Sequence, residues 1–328
     1  EIKIVRAPLM LVHGLNGSPS TWDNFYSGYQ NYKFIDDPRF LIKKAVAMAA
    51  NASFKTNSSC LLSEDLTSTN SFVYLISGMR DMGFACNQLD YICHSMGGSL
   101  FRASYDNGDS YFRKNNYTKG YVNKFISLNT PHDGSSFADM LYDIDRVQIY
   151  PIVEAIGSFK DLYEFGPTGF NVVDAVKDLR FKNEIKFNMV NIPAHLIGSG
   201  VSCSEFNFKT FGILYTFQYL LGFGIIPQCL FLDTYFTSMG YESDFTSGSD
   251  AIVSLSSQFS GYDVSALPKN STRFEGLMHN SLFGISPTEY LPVGKKVNDL
   301  LNMETKSDLF GSIPSTKLSE KKSSGEAQ

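Results

Sequence analysis

The stretch Asp90-Tyr91-Ile92-Cys93-His94-Ser95-Met96-Gly97-Gly98 constrains this chain more than any other. An apolar run ends, a turn of small residues follows, and a helical pattern begins at once. A strand–turn–helix junction this tight forces the residue at its apex into backbone angles that side chains rarely adopt. It also points that side chain away from the sheet. The apex is Ser95, which makes it the candidate nucleophile. The positions two before and two after the apex must be small, because strand and helix crowd there. Gly97 meets that demand. Cys93 stands where G-x-S-x-G would have glycine, and it fits less freely.

The surrounding pattern agrees with such a junction. Leu9 to Val12 reads as a buried strand opening into the loop His13-Gly14-Leu15-Asn16-Gly17. Arg39 to Ala50 is expected to be a helix, with Pro38 near its start. Asn51 to Asp65 is polar and offers no clear strand. Ser71 to Met82 reads as a helix, with Asn70 as its cap and Gly83 as its stop. Leu89 to Cys93 is a strand, Gly97 to Tyr105 a helix, and Lys124 to Leu128 and Ala194 to Ile197 are further strands. Val293 to Met303 reads as a closing helix. This alternation predicts an α/β fold with a mostly parallel sheet flanked by helices. Residues 1–303 form the expected single domain, interrupted by insertions at about 135–189 and 205–242. Residues 304–328, rich in Ser and Lys with little to bury, are expected to be a disordered tail.

Composition narrows the function classes. With 43% apolar residues in 328, the chain has ample core material. Its net charge is −5 and no long basic run occurs, so a nucleic-acid partner is not expected. The five cysteines form no CxxC pair, and there is no HExxH, which disfavours zinc. Cys93 is the natural free thiol. Cys60–Cys86 and Cys203–Cys229 are conceivable pairs that spacing does not fix, and they would suit an oxidising, extracytoplasmic compartment. No cofactor and no protein partner are implied.

A serine nucleophile needs a base, an orienting acid and an oxyanion hole. The elbow supplies one oxyanion donor, the Met96 N–H, and the Gly14 to Gly17 loop offers a second, the Leu15 N–H. Among the histidines, His13 reads as scaffold, His94 projects elsewhere, His132 lies where it could line the site, and His195 reads as core. His279, in a late loop, fits the chain order nucleophile, acid, base. Asp250, between a polar turn and an apolar run, is the leading acid. Asp244 is the runner-up, and Asp233 is more distant.

With these residues in place, the chain resembles the bacterial true-lipase (triacylglycerol lipase) group of the α/β-hydrolase superfamily. HGLNG is similar to that group's oxyanion loop, CHSMGG to its nucleophile elbow, and Pro131-His132-Asp133-Gly134-Ser135 to its segment leading into the lid. Gly248 to Val253 resembles its acid loop and Met278 to Ser281 its histidine loop. The recognisable segments cover about a quarter of the chain. The resemblance implies an α/β-hydrolase fold with helical lid or cap insertions, and a lipase or esterase using Ser95, Asp250 and His279. Several such lipases bind calcium through an aspartate shortly after the histidine. Asn280 and Ser281 stand there, so calcium is not carried over. The 205–242 insertion matches nothing in the group.

The insertions bear on substrate. Met140, Leu141, Ile144, Val147, Ile152, Val153 and Ile156 have partly amphipathic spacing, suited to a lid over an acyl pocket or to ordinary packing. His132, Leu141 and Ile144 are candidate substrate contacts. Thr210 to Leu232 is free of charge and long enough for a membrane span. One crossing would part Ser95 from Asp250 and His279, so a greasy cap or interfacial hairpin is expected. The expected substrate is a lipid or other ester, with transient contact to a lipid surface. The competing readings are an acyltransferase with the same triad, an esterase for short acyl chains, and a non-catalytic binding protein on the same fold.

Overall fold

The computed structural model describes residues 5–49, 51–143, 163–166, 169–181, 185–200, 248–250, 252–281 and 284–316. The 205–242 insertion, with its Thr210 to Leu232 run, lies outside the described residues, as do Ile144, Asp233, Asp244, Cys203 and Cys229.

Among the described residues, seven strands make one sheet. They are β1 (Leu9–Val12), β2 (Lys43–Val46), β3 (Leu89–His94), β4 (Val122–Leu128), β7 (Val190–Gly200), β8 (Ser271–Glu275) and β9 (Gly311–Ile313). A separate hairpin joins β5 (Tyr163–Gly166) to β6 (Gly169–Val172). The large sheet runs β2-β1-β3-β4-β7-β8, all parallel. β9 is the exception and pairs antiparallel with the start of β7. After β2 the chain crosses to the other side of β1, so the order reverses between β1 and β3. A crevice opens at the carboxyl ends of the strands at such a reversal, and ligands in open α/β sheets bind there.

Every residue of β1 and β3 is buried. Met10, Val12, Tyr91 and Cys93 face one core layer, while Leu9, Leu11 and Ile92 face the other, as period-two strands covered on both sides require. The first layer holds α1 (Phe54–Leu61), α2 (Phe72–Asp81) and α3 (Met96–Asp106). The second is closed by α8 (Leu291–Asn302), through Val293, Val297 and Leu300. Shorter helices are α4 (Gly108–Tyr111), α5 (Ser136–Asp143), α6 (Asp174–Asp178) and α7 (Leu255–Gln258). No described helix is long and apolar enough to cross a membrane.

Helix α2 shows how sequence sets its bounds. Phe72, Leu75, Ile76 and Met79 recur at helical spacing and are buried. Its cap is Ser71, whose Oγ accepts from the Tyr74 N–H at 3.1 Å. Asn70, the expected cap, instead donates to the Ala47 carbonyl. Gly83 ends the helix at φ +84°, which lets the Phe84 N–H reach back to the Met79 carbonyl at 3.1 Å.

Three expectations are corrected. Arg39 to Ala50 is not a helix: Lys43–Val46 is the edge strand β2, in register with Leu9 to Val12. Asp37 turns the chain before it, accepting from the Arg39 N–H at 3.0 Å, and the open edge of β1 then outweighs helical propensity. Second, the segment from Glu304 to Thr316 is ordered. Ile313 is fully buried, Arg102 donates to the Pro314 carbonyl at 2.7 Å, and the Lys124 ammonium holds the α8 C-terminus through the carbonyls of Leu301 and Met303. Third, Cys60 and Cys86 are free thiols, and the polar 51–65 segment holds helix α1, capped by Ser53.

His195 joins β7 to its neighbours. Its Nδ1–H donates to the Leu309 carbonyl at 2.7 Å and its Nε2 accepts from the Thr272 hydroxyl at 2.8 Å. Burial lowers its pKa from 6.5 to about 4. The unfolded chain takes a proton below about 6.5 that the folded chain refuses. The stability this neutral ring gives is therefore complete above that pH and lost as pH falls towards 4. Asp90 acts the other way, because burial raises its carboxyl to about 6. Between pH 7.5 and 5 the His195 contribution should fall by about 2 kcal/mol. Urea unfolding at the two pH values should show a smaller acid loss in His195→Gln than in wild type.

Candidate active site

The site lies at the reversal of strand order. Val12 pairs with Cys93, so the residues that follow each strand meet at the same end of the sheet. Ser95 sits at φ 54° and ψ −131°, between β3 and α3. Such a conformation costs about 1–3 kcal/mol in a non-glycine residue and survives only where its surroundings enforce it. Here the Ser95 N–H donates to the Leu128 carbonyl at 2.9 Å, and the Ser95 carbonyl accepts from Gly98. The Tyr91 hydroxyl donates to the Gly97 carbonyl at 2.8 Å and ties the helix start to its strand.

The small residues around Ser95 are steric necessities. A Cβ on Gly97 would lie 2.7 Å from the Val12 carbonyl oxygen, and one on Gly98 would lie 2.3 Å from the Thr130 hydroxyl. A Cβ on Gly14 would lie 2.5 Å from the Ser95 Cβ. Cys93 fits because its Sγ turns towards the Ile126 carbonyl at 3.7 Å. It is fully buried, and that burial pushes its thiol far above the ordinary range, so no thiolate competes with Ser95.

His279 and Asp250 complete a chain of hydrogen bonds from Ser95. The Ser95 hydroxyl lies 2.7 Å from His279 Nε2, and His279 Nδ1–H donates to Asp250 Oδ2 at 2.8 Å. All three residues are buried. Asp250 Oδ1 accepts from the Ile252 and Val253 N–H groups at 3.1 and 2.7 Å, and Oδ2 also accepts from Asn129 Nδ2 at 2.8 Å. Each carboxylate oxygen thus has hydrogen-bond partners, as burial of so polar a group requires. The backbone joins in: the His279 N–H donates to the Asp250 carbonyl at 2.8 Å.

The two expected oxyanion donors flank Ser95. Met96 is the first residue of α3, so its N–H has no acceptor within the helix. The Leu15 N–H makes no hydrogen bond among the described residues. His13 is scaffold in this structure. Its Nδ1–H donates to the Gly14 carbonyl at 2.9 Å, its Nε2 accepts from the Met48 N–H at 3.2 Å, and burial lowers its pKa.

A cavity of about 340 Å³ opens beside Ser95, lined by the apolar Leu15, Phe137, Leu141, Val176, Leu179 and Val253 and by the polar Asn16, Ser135, Asn280 and Ser281. Leu141, one of the expected substrate contacts, lines this cavity. His132, another, does not. Its ring is buried away from this cavity, with Nε2 3.3 Å from the Ser127 hydroxyl, and Pro131 takes the lining position. The turn at Thr130 and Pro131 rotates His132 inward, its N–H bonding the Ser257 carbonyl at 3.1 Å. Among the described residues no group of three or more His, Cys, Asp or Glu is placed to hold a metal.

Sequence reading missed two residues of this network. Asn129 adopts φ 49° at the end of β4, which aims its amide at both Ser199 and Asp250. An asparagine directly after a buried strand was the available signal, since asparagine tolerates such angles. His94 was set aside because it projects away from Ser95. In fact its Nε2–H donates to the His279 carbonyl at 2.9 Å. Burial and the neighbouring His279 push its pKa well below the usual value, so it stays neutral and clamps the His279 loop.

No family model matches the chain, and no curated protein matches its sequence. Solved structures do resemble it. Phospholipase PlaB from Legionella pneumophila aligns at 13% identity with a TM-score of 0.51, over 92% of this chain and 61% of that one. The mature Bacillus licheniformis lipase BlEst2 aligns at 16% identity and a TM-score of 0.48, over 91% of this chain and 94% of that one. The Staphylococcus hyicus lipase aligns at 12% and 0.48, over 92% and 98%. The likeness is one of fold, and that fold is the α/β-hydrolase fold, with its mostly parallel sheet and flanking helices.

Gly14→Ala tests the fit of the loop against Ser95. The added methyl must displace either the Leu15 N–H or the Ser95 side chain, and losing one oxyanion donor costs about 10²–10³ in rate. The variant should fold, by near-ultraviolet circular dichroism, and lose at least about 100-fold in kcat on any ester that wild type cleaves.

Proposed function

We propose that this protein is a serine carboxylic ester hydrolase acting on esters with apolar acyl chains, a lipase in the broad sense. The observation that carries this reading is the continuous path Ser95 Oγ, His279 Nε2, His279 Nδ1, Asp250 Oδ2, with steps of 2.7 and 2.8 Å, beside a cavity with one apolar wall. Structural neighbours described as lipases and a phospholipase are consistent with it.

The chemistry follows from the geometry. Ser95 Oγ attacks the ester carbonyl carbon while His279 Nε2 takes the hydroxyl proton. Asp250 holds the ring in the tautomer that leaves Nε2 free to accept, and it stabilises the imidazolium that forms. The carbonyl oxygen becomes an oxyanion facing the N–H groups of Leu15 and Met96. The C–O bond to the alcohol then breaks, and the alcohol leaves with the proton from His279. Water repeats the sequence on the acyl-enzyme, and the acid departs.

The apolar wall directs the substrate. Phe137 and Leu141 come from α5, so we read this helix as part of a wall along the acyl chain. Asp139 anchors it: its carboxylate accepts from Arg180 at 3.0 Å and from the Phe181 N–H at 3.0 Å. An acyl chain of several methylenes gains about 0.8 kcal/mol for each one buried. Short polar acids gain little from such a wall.

A panel of p-nitrophenyl esters from two to sixteen carbons tests this. Activity should rise from the shortest ester to a medium or long chain. Ser95→Ala should lower kcat by about 10⁶ and Asp250→Asn by about 10⁴. A rate that survives Ser95→Ala would overturn the reading, and a preference for acetate would replace lipase by short-chain esterase.

A further inference from the structure

The end of β7 carries a buried amide that the mechanism does not use. Pairing with β4 stops at Leu128 opposite Ile197, and the Asn129 N–H then donates to the Ile197 carbonyl as the chain turns away. Ser199, two residues on, turns its own N–H and carbonyl to that same side, while β8 continues to pair on the other. Both groups need partners there, because Ser199 is fully buried. Gln258 supplies them. Its Oε1 accepts from the Ser199 N–H at 2.7 Å, and its Nε2 donates to the Ser199 carbonyl at 3.0 Å. The side-chain amide thus stands in for the strand that has ended. The second Nε2 hydrogen goes to the Val253 carbonyl at 2.9 Å.

That third bond reaches the candidate acid. The Val253 N–H donates to Asp250 Oδ1 at 2.7 Å, and the Val253 carbonyl also accepts from the Asp250 N–H at 3.3 Å. From β4, Asn129 Nδ2 donates to both Ser199 Oγ and Asp250 Oδ2, at 2.6 and 2.8 Å. A closed ring results: Asp250, Val253, Gln258, Ser199, Asn129 and back to Asp250. It includes both carboxylate oxygens, and all five residues are fully buried. Two glycines let the ring close. A Cβ on Gly198 would lie 2.5 Å from the Phe259 ring, and one on Gly200 would lie 2.8 Å from the Ser249 carbonyl oxygen. Resting on the ester-hydrolase reading, we infer that Gln258 is a positioning residue for that reaction. It sets the Asp250 carboxylate in the place from which Asp250 orients His279.

A packing role would need no amide. Leu255 and Phe259, close by in the chain, already fill the core. Methionine has the length of glutamine and would pack there without burying a polar group. Glutamate would keep the shape, but its carboxylate has no hydrogen for the Ser199 and Val253 carbonyls. Only the amide answers two acceptors and one donor on two separate segments. Gln258 does not line the cavity at Ser95, so its effect on the rate passes through Asp250. A carboxylate displaced by about 1 Å would lengthen the 2.8 Å bond to His279 Nδ1, and misplacement of that size costs about 10²-fold in rate. An effect through the Val253 wall of the cavity would show in KM instead.

The test uses Gln258→Met and Gln258→Glu, each alone and combined with Asp250→Asn, on the p-nitrophenyl ester that wild type cleaves best. Gln258→Met should lower kcat by about 10–100-fold, with KM changed by less than about twofold. In the Asp250→Asn background it should lower kcat no further, because the group it positions is already lost. The low-field proton resonance of His279 Nδ1–H should move or broaden in Gln258→Met. It should stay in place in Leu300→Ala, a truncation in the other core layer. In Gln258→Glu the introduced carboxyl regains one donor when protonated, so its kcat relative to wild type should rise as pH falls. Equal losses in the two backgrounds, an unmoved resonance, or full kcat in both Gln258 variants would overturn the proposal. Unfolding of both variants would overturn it too, by making Gln258 a residue of the core alone. An Asp250→Asn variant as fast as wild type would instead remove the triad reading beneath it.

Discussion

The parallel pairing of β1 with β3 is the contact on which the site depends. Val12 opposite Cys93 brings Gly14 against the Ser95 side chain, and the strained Ser95 backbone is held there by Leu128 on the next strand. Strain of this kind needs a rigid frame. Six parallel strands, buried layers on both faces and α3 packed against β3 supply it. The frame holds the loop after β1 beside the Ser95 side chain, and under the proposed reading this sets an oxyanion donor next to the nucleophile before substrate arrives, where much of the rate in acyl transfer originates.

A second layer of contacts holds His279 and Asp250. Asp250 and His279 come from loops, which are poor at fixing geometry unless anchored. Here the anchors are specific. Asn129 holds Asp250 from β4, two backbone N–H groups hold its other oxygen, and the neutral His94 ring holds the His279 carbonyl. The elbow therefore touches His279 twice, through the Ser95 hydroxyl and through the His94 ring.

Much of this was legible in the sequence because the elbow is a local motif with steric rules. Ser95, Gly97 and the following helix could be read directly, and the chain order then led to Asp250 and His279. The parallel sheet followed from continuous apolar runs such as Leu9 to Val12. What failed was non-local. Residues 39–50 carry a helical pattern, yet pairing with β1 makes Lys43–Val46 a strand. The polar segment after Glu304 gave no sign that Ile313 would be buried beside β7. His132 lay in a motif expected to face the substrate, but one turn at Pro131 sent its ring into the core. Asn129 and His94 were visible as residues but not as partners, because their partners lie far along the chain, at Asp250 and His279.

The most direct test of the central claim is where the protein reacts with an ester-like electrophile. A fluorophosphonate probe followed by peptide mapping reads the activated nucleophile itself, independently of any guess about substrate. The account predicts a single adduct on Ser95, absent in Ser95→Ala and formed far more slowly in His279→Ala. A folded wild type that resists the probe, or an adduct on another residue, would contradict it.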